Sequence, residues 1–213
     1  GSAVMKNEGV KAYYDKLIEE GNDPVLDSEP LRAYMDKWDG PQFMEMLSLA
    51  PHKNVLEIGV GTGRLAVKIA PFCRSFMGID LSAKTVEQAR KHLKPFLNVN
   101  LICDDFMKHS FHCIFDVIYS SLTFMHFEDK LSVMKKIAGL LKPGGRFVLS
   151  IDKNPTDTLT CYDQKIRVYP DSFEKIATCI HLAQMSLLRQ EETEFAWLFC
   201  AVLSKGNSED YTS

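Results

Sequence analysis

Residues 55–66 read VLEIGVGTGRLA. A short apolar run (Val55, Leu56, Ile58) breaks into glycines at alternate positions, Gly59, Gly61 and Gly63. A helix-compatible run follows from Leu65 to Ala70, and Pro71 stops it. Strand, tight glycine turn, helix is the geometry in which backbone N–H groups and a helix N-terminus approach a ligand closely, because no Cβ intervenes. An acid, Glu57, stands two positions before the first glycine. Such a pattern also fits a plain tight turn, so the chain downstream must decide its use.

Turns that bind dinucleotides space their glycines G-x-G-x-x-G. Here the third glycine comes one residue early, and Arg64 stands in the place of that glycine. Residues 75–80 (SFMGID) read as a second strand ending in an acid, Asp80. An acid at that point is placed to accept hydrogen bonds from ribose hydroxyls. It would equally suit the start of the helix that begins near Ser82 and stops at Pro95. A third strand (98–103) leads into Asp104-Asp105-Phe106, and a fourth (115–121) into the loop Leu122 to Phe127. The string LLKPGGR (140–146) closes a helix with a proline-glycine turn and opens a fifth strand to Ile151. After a helix at 171–183, residues 185–194 and 196–203 read as two strands whose short connection implies an antiparallel hairpin.

In this order, E-x-G-x-G-x-G at 57–63, the acid at Asp80, the Asp104-Asp105-Phe106 step and LLKPGGR resemble the class I S-adenosylmethionine-dependent methyltransferases. The resemblance covers roughly Lys53 to Lys205. It implies an α/β fold: a doubly wound, seven-stranded, mostly parallel sheet in the order 3-2-1-4-5-7-6, its last strand antiparallel, beneath an N-terminal helical cap. It implies S-adenosylmethionine as cofactor and S-adenosylhomocysteine as product, with Glu57, Gly59, Gly61 and Gly63 around the cofactor. Asp80, with Leu81 beside it, would take the ribose. An acid of the Asp104-Asp105 pair would accept from the adenine amino group; counting back from the next strand favours Asp105, with Phe106 meeting the ring. In open α/β sheets the ligand crevice lies where strand order reverses, here between the first and fourth strands. Ser120 and Ser121 are therefore candidates for the methionyl tail.

The function so implied is methyl transfer to a small-molecule nucleophile by in-line displacement, with catalysis mainly by positioning. His126, in the loop after the fourth strand, is the candidate general base; the alternative is that it satisfies backbone groups at the start of the next helix. A non-catalytic S-adenosylmethionine-binding sensor or partner subunit is the alternative function. A nicotinamide-dependent oxidoreductase is disfavoured by the early third glycine and by Glu57. The loop SSLT lacks the [DN]-P-P-[YFW] signature of amino-methylating DNA enzymes, and no clustered ligands suggest a metal.

The first fifty residues read as helices forming a cap or lid, with Gly1-Ser2 read as a tag remnant. Tyr14, Arg32, Tyr34 and Trp38 are its candidate substrate contacts. Residues 152–169 read as a polar connector at the active-site edge, offering Arg167 and Tyr169. The expected divisions are the cap (1–50), a cofactor-binding domain (51–205) and a polar tail (206–213). At 213 residues the chain suits one α/β domain with a full core. Its net charge of −3 carries no footprint for nucleic acid, and no apolar run suits a membrane span. A cytoplasmic protein, monomer or homodimer, with a small-molecule methyl acceptor is expected. Six scattered cysteines without a C-x-x-C pair fit small buried hydrophobes in a reducing compartment.

Overall fold

The computed structural model describes residues 2–205; the expected polar tail lies outside the described residues. The glycine segment forms the centre of the sheet. β1 (Asn54–Ile58) runs into the turn, α4 (Ala66–Ile69) leaves it, and a 3-10 turn (Ala70–Phe72) takes up Pro71. β2 (Ser75–Asp80) and β4 (Phe115–Ser121) flank β1, both parallel to it, and β3 (Val99–Cys103) pairs beyond β2. Strand order therefore reverses between β1 and β4.

On the far side β5 (Leu141–Asp152) pairs parallel with β4, and β9 (Ala196–Leu203) antiparallel with β5. β8 (Met185–Glu192) closes the edge, giving the order β3-β2-β1-β4-β5-β9-β8. This is the expected seven-stranded sheet, with the chain's last strand antiparallel.

Alternation along the strands builds two apolar layers. Val55, Val117 and Tyr119 face one way, packed with Phe43 and Leu47 of α3 (Gly40–Leu47) and Ala89 and Leu93 of α5 (Ala83–Leu93). Leu56, Ile58 and Ile118 face the other way, against Val133 and Ile137 of α6 (Lys130–Leu140) and Ile176 and Ile180 of α7 (Phe173–Leu182). Helix starts follow their capping residues: the Ser82 and Ser172 hydroxyls accept the Thr85 and Lys175 N–H, and the Asp129 carboxylate accepts that of Ser132.

The N-terminal segment opens with α1 (Ser2–Glu19), ended by Gly21 at φ +80°. The Asn22 N–H reaches back to Leu17 O and the Gly21 N–H to Ile18 O, the double bond pattern that glycine permits beyond a helix end. α2 (Glu29–Met35) buries no residue.

One expectation is corrected here. Residues 152–169 contain a two-stranded hairpin, β6 (Thr158–Cys161) with β7 (Gln164–Arg167). It gains its apolar cover from α1: Val10 and Tyr13 are buried against Ile166 and Val168. The cysteines are all free thiols, and only Cys73, Cys179 and Cys200 are buried. Among the described residues no helix is long and apolar enough to cross a membrane.

Candidate active site

A cavity of about 690 Å³ opens at the C-terminal ends of β1, β2 and β4, with α1 across it. Its floor is the glycine turn. Gly59 (φ +80°) and Gly61 (φ +58°) both adopt left-handed backbone. A Cβ on Gly59 would fall 2.1 Å from Thr123 Oγ1, so the bare backbone lets the β4 loop close down on the turn. The Gly59 and Val60 N–H groups both donate to Ile79 O, tying the turn to β2.

The Asp80 carboxylate completes the floor, accepting from the Gly61 N–H (3.0 Å) and the Ser82 N–H (3.1 Å). Burial raises its pKa against those backbone bonds. Glu57 is buried beneath the turn and accepts from the Tyr119 hydroxyl at 2.8 Å. Desolvation raises its carboxyl well above the usual range. Arg64, beside the turn, donates two hydrogen bonds to the buried Asp39, which also accepts from the Ser121 hydroxyl and the Gly40 N–H. That network fastens the start of α3 to both the glycine turn and the end of β4.

Beyond β4, Leu122 adopts φ +56° as the chain bends into a 3-10 turn (Phe124–His126). For a bulky side chain this is a strained backbone, of the sort retained where surrounding structure demands it. The turn presents His126, whose Nε2 lies 2.7 Å from the Tyr14 hydroxyl of α1. Burial, aided by the Lys130 ammonium, holds the imidazole down at about 4. Burial also pushes the Tyr14 phenol up. At neutral pH both groups are therefore uncharged. On the β3 side Asp105 accepts from the Met107 N–H (2.8 Å) and from the Asn7 amide of α1 (2.5 Å). Asp104 turns to His109 and the Asp105 N–H, which together lower its pKa.

Residues 56–149 match the family described as "Methyltransferase domain". Over that stretch this chain is similar to a methyltransferase domain. It is similar to nodulation protein S of Sinorhizobium fredii, 26% identical over 59% of this chain and 62% of that protein. It is also similar to phosphoethanolamine N-methyltransferase 3 of Arabidopsis thaliana, 32% identical over 58% of this chain but 27% of that one. The chain thus spans from about a quarter to about three fifths of the length of these curated relatives. Among solved structures, magnesium protoporphyrin IX methyltransferase (ChlM) of Synechocystis with bound SAM superposes with a TM-score of 0.75. The two share 16% identity over 93% of this chain and 97% of that one, a likeness of fold.

Of the residues expected at the site, Tyr14, Glu57, Gly59, Gly61, Asp80, Leu81, Asp105, Phe106, Ser121, His126 and Tyr169 line the cavity. Six do not. Gly63 makes room for Leu93 of α5 instead. Ser120 is fully buried, and its hydroxyl donates to Ile58 O across the β1–β4 pair, which leaves nothing for a ligand. Arg32 donates to Asp27 O on the surface. Trp38 stacks on Phe195, with Tyr34 at the edge of that pair. Arg167 lies over the Tyr169 ring. The second helix of the cap is α2, but the aromatics Tyr34 and Trp38 lean on the β8–β9 connection and only Met35 of α2 reaches the cavity.

Nor does His126 cap α6, because Asp129 does so. Sequence reasoning missed Asn7, Asp39 and Arg64. Arg64 carried a visible signal, a cation inside the glycine motif; Asn7 and Asp39 carried none, since their partners are remote in sequence.

Proposed function

We propose that this protein is an S-adenosylmethionine-dependent methyltransferase acting on a small-molecule nucleophile. One observation carries the reading: a glycine turn bonded to the half-buried Asp80 forms the floor of the same cavity into which Tyr14 and His126 project as a hydrogen-bonded pair. The residues fit the cofactor. The bare backbone of Gly59 and Gly61 permits close approach, and Asp80 offers a carboxylate to ribose hydroxyls beside Leu81. Asp105 offers an acceptor to the adenine amino group and Phe106 an apolar wall. Ser121 and the Arg64–Asp39 pair stand where a charged amino-acid tail would lie, while Ser120 is withdrawn from that role. Residues 1–50 act as the cap on the domain at 51–205.

When bound, the cofactor would supply a sulfonium-borne methyl group, whose carbon would bond to the acceptor's lone pair as the carbon–sulfur bond breaks in line and the sulfur keeps its electrons. The chain's own part is to align the acceptor and exclude water. An imidazole held at about 4 is a weak proton acceptor at neutral pH. His126 and Tyr14 then orient the acceptor through hydrogen bonds more than they strip it of a proton. This favours an acceptor already nucleophilic on arrival, such as a neutral amine, over an alcohol that must first be deprotonated.

Thermal unfolding with S-adenosylhomocysteine tests the reading. At a hundred times its dissociation constant the ligand should add about 2.7 kcal/mol of stability, and NAD nothing comparable. A shift with NAD and none with S-adenosylhomocysteine would refute it. Matched amines and alcohols, assayed for S-adenosylhomocysteine formation, then identify the acceptor class.

A further inference from the structure

The first residue of α6, Lys130, has a side chain with no exposure to solvent. Its ammonium has three donors and meets three oxygens: Phe124 O at 2.5 Å, Tyr169 O at 2.7 Å and Asp171 Oδ1 at 2.8 Å. These belong to three separate pieces of chain. Phe124 opens the turn that carries His126, Tyr169 lies on the strap leaving β7, and Asp171 stands just before α7. The strap is also gripped from its other side, since the Tyr169 N–H donates to Met125 O at 2.6 Å.

Burying an ammonium is costly unless its donors are used, and a well-packed apolar side chain commonly serves stability as well or better. The value of a lysine here lies in what it joins. Two of its three partners are backbone carbonyls of the segments that bring His126 and Tyr169 to the cavity wall.

We propose that Lys130 is the positioning residue of this wall: its buried ammonium clips the His126 turn to the Tyr169 strap, so that both side chains are presented to the cavity together. The description of that wall as an acceptor site rests on the methyltransferase reading; the clip does not. The same cation opposes protonation of His126. Beside Lys130, Tyr14 of α1 meets the imidazole directly, Tyr169, Glu128 and Asp129 line the same cavity, and Asp171 pairs with Lys130.

The test follows the histidine and tyrosine ring signals of the full chain by NMR in Lys130→Met. Because this variant strands the Asp171 carboxylate, Lys130→Met/Asp171→Leu is studied beside it, and the amide signals of Gly59 to Gly63 report whether the fold persists. With the fold intact, the His126 titration midpoint should rise above about 4 but stay below the ordinary imidazole range, because burial, the larger cause of the shift, remains. The His126 and Tyr169 rings should shift together, and Lys130→Arg should keep the low midpoint. A folded variant with unmoved His126 titration and an unmoved Tyr169 ring overturns the assignment. So does failure of both variants to fold, which would make Lys130 a residue of core stability alone. Failure of the wild type to bind S-adenosylhomocysteine, with the NMR outcome as expected, would remove the methyltransferase reading and leave the clip standing.

Discussion

The Tyr14 hydroxyl and His126 Nε2 lie 2.7 Å apart, joining α1 to the turn after β4 across 112 residues of chain. The two rings meet edge to face, 5.4 Å between centroids. A second bond from α1, Asn7 to Asp105, reaches the β3 side of the same cavity. The N-terminal helix is therefore held to both walls of the site that it covers.

The histidine makes stability depend on pH. Its folded pKa of about 4 lies below the ordinary value of 6.5, so the unfolded chain binds a proton first as pH falls. Stability from this group is full above the unfolded pKa, declines through the window down to about 4, and is then level. By linkage the loss is roughly 3 kcal/mol across that window. Denaturant unfolding of the wild type and of His126→Asn at intervals from neutral pH down to about 4 measures it. The wild type should lose stability relative to the variant, and a constant difference would refute the prediction.

Asp80 accepts from the Gly61 and Ser82 N–H groups inside the protein, and in the proposed function it also offers its charge to the cofactor ribose. Asp80→Asn retains one acceptor oxygen but loses the charge. We expect a ten- to hundredfold loss of S-adenosylhomocysteine affinity by calorimetry, as charge-assisted bonds worth about 1.5–3 kcal/mol weaken. The ligand-free protein should lose about 1 kcal/mol from the weakened turn. An unchanged affinity would reduce Asp80 to a brace for the turn.

Gly59→Ala places a Cβ against the Thr123 side chain in a left-handed backbone. The expected cost is about 2 kcal/mol or more, together with loss of cofactor binding, because either the turn or the β4 loop must move. Adding Thr123→Gly should recover part of the stability by removing the clash, though the backbone strain remains. A fully stable, ligand-binding Gly59→Ala variant would show that the approach of turn and loop is not needed.

Much of the sheet was legible because its signals are local. The bounds of β2, β4 and β9 agree with the sequence reading at 75–80, 115–121 and 196–203. Each is a short apolar or β-branched run bounded by turn residues, which is how buried strands announce themselves. The glycine turn and Asp80 were legible for the same reason: the chemistry of a tight turn lies within a few residues. The β6–β7 hairpin was not. Its strands are short and polar, and the surface that buries Ile166 and Val168 belongs to α1, far away in sequence.

The sequence by itself determined the individual strands and the glycine turn, since periodicity and backbone freedom are properties of neighbouring residues, while the resemblance carried by its motifs implied the order of the strands and the point where it reverses. Tertiary structure decided which polar side chains remain available to a ligand. Ser120 and Ser121 are adjacent in one strand, yet pleating turns the first to Ile58 O and the second to Asp39 at the cavity. Lys130, one charged residue among many in the sequence, becomes a buried clip only because Phe124, Tyr169 and Asp171 bring three oxygens around it. A hydrogen bond acts over about 3 Å, and only the folded chain determines which groups come within that reach.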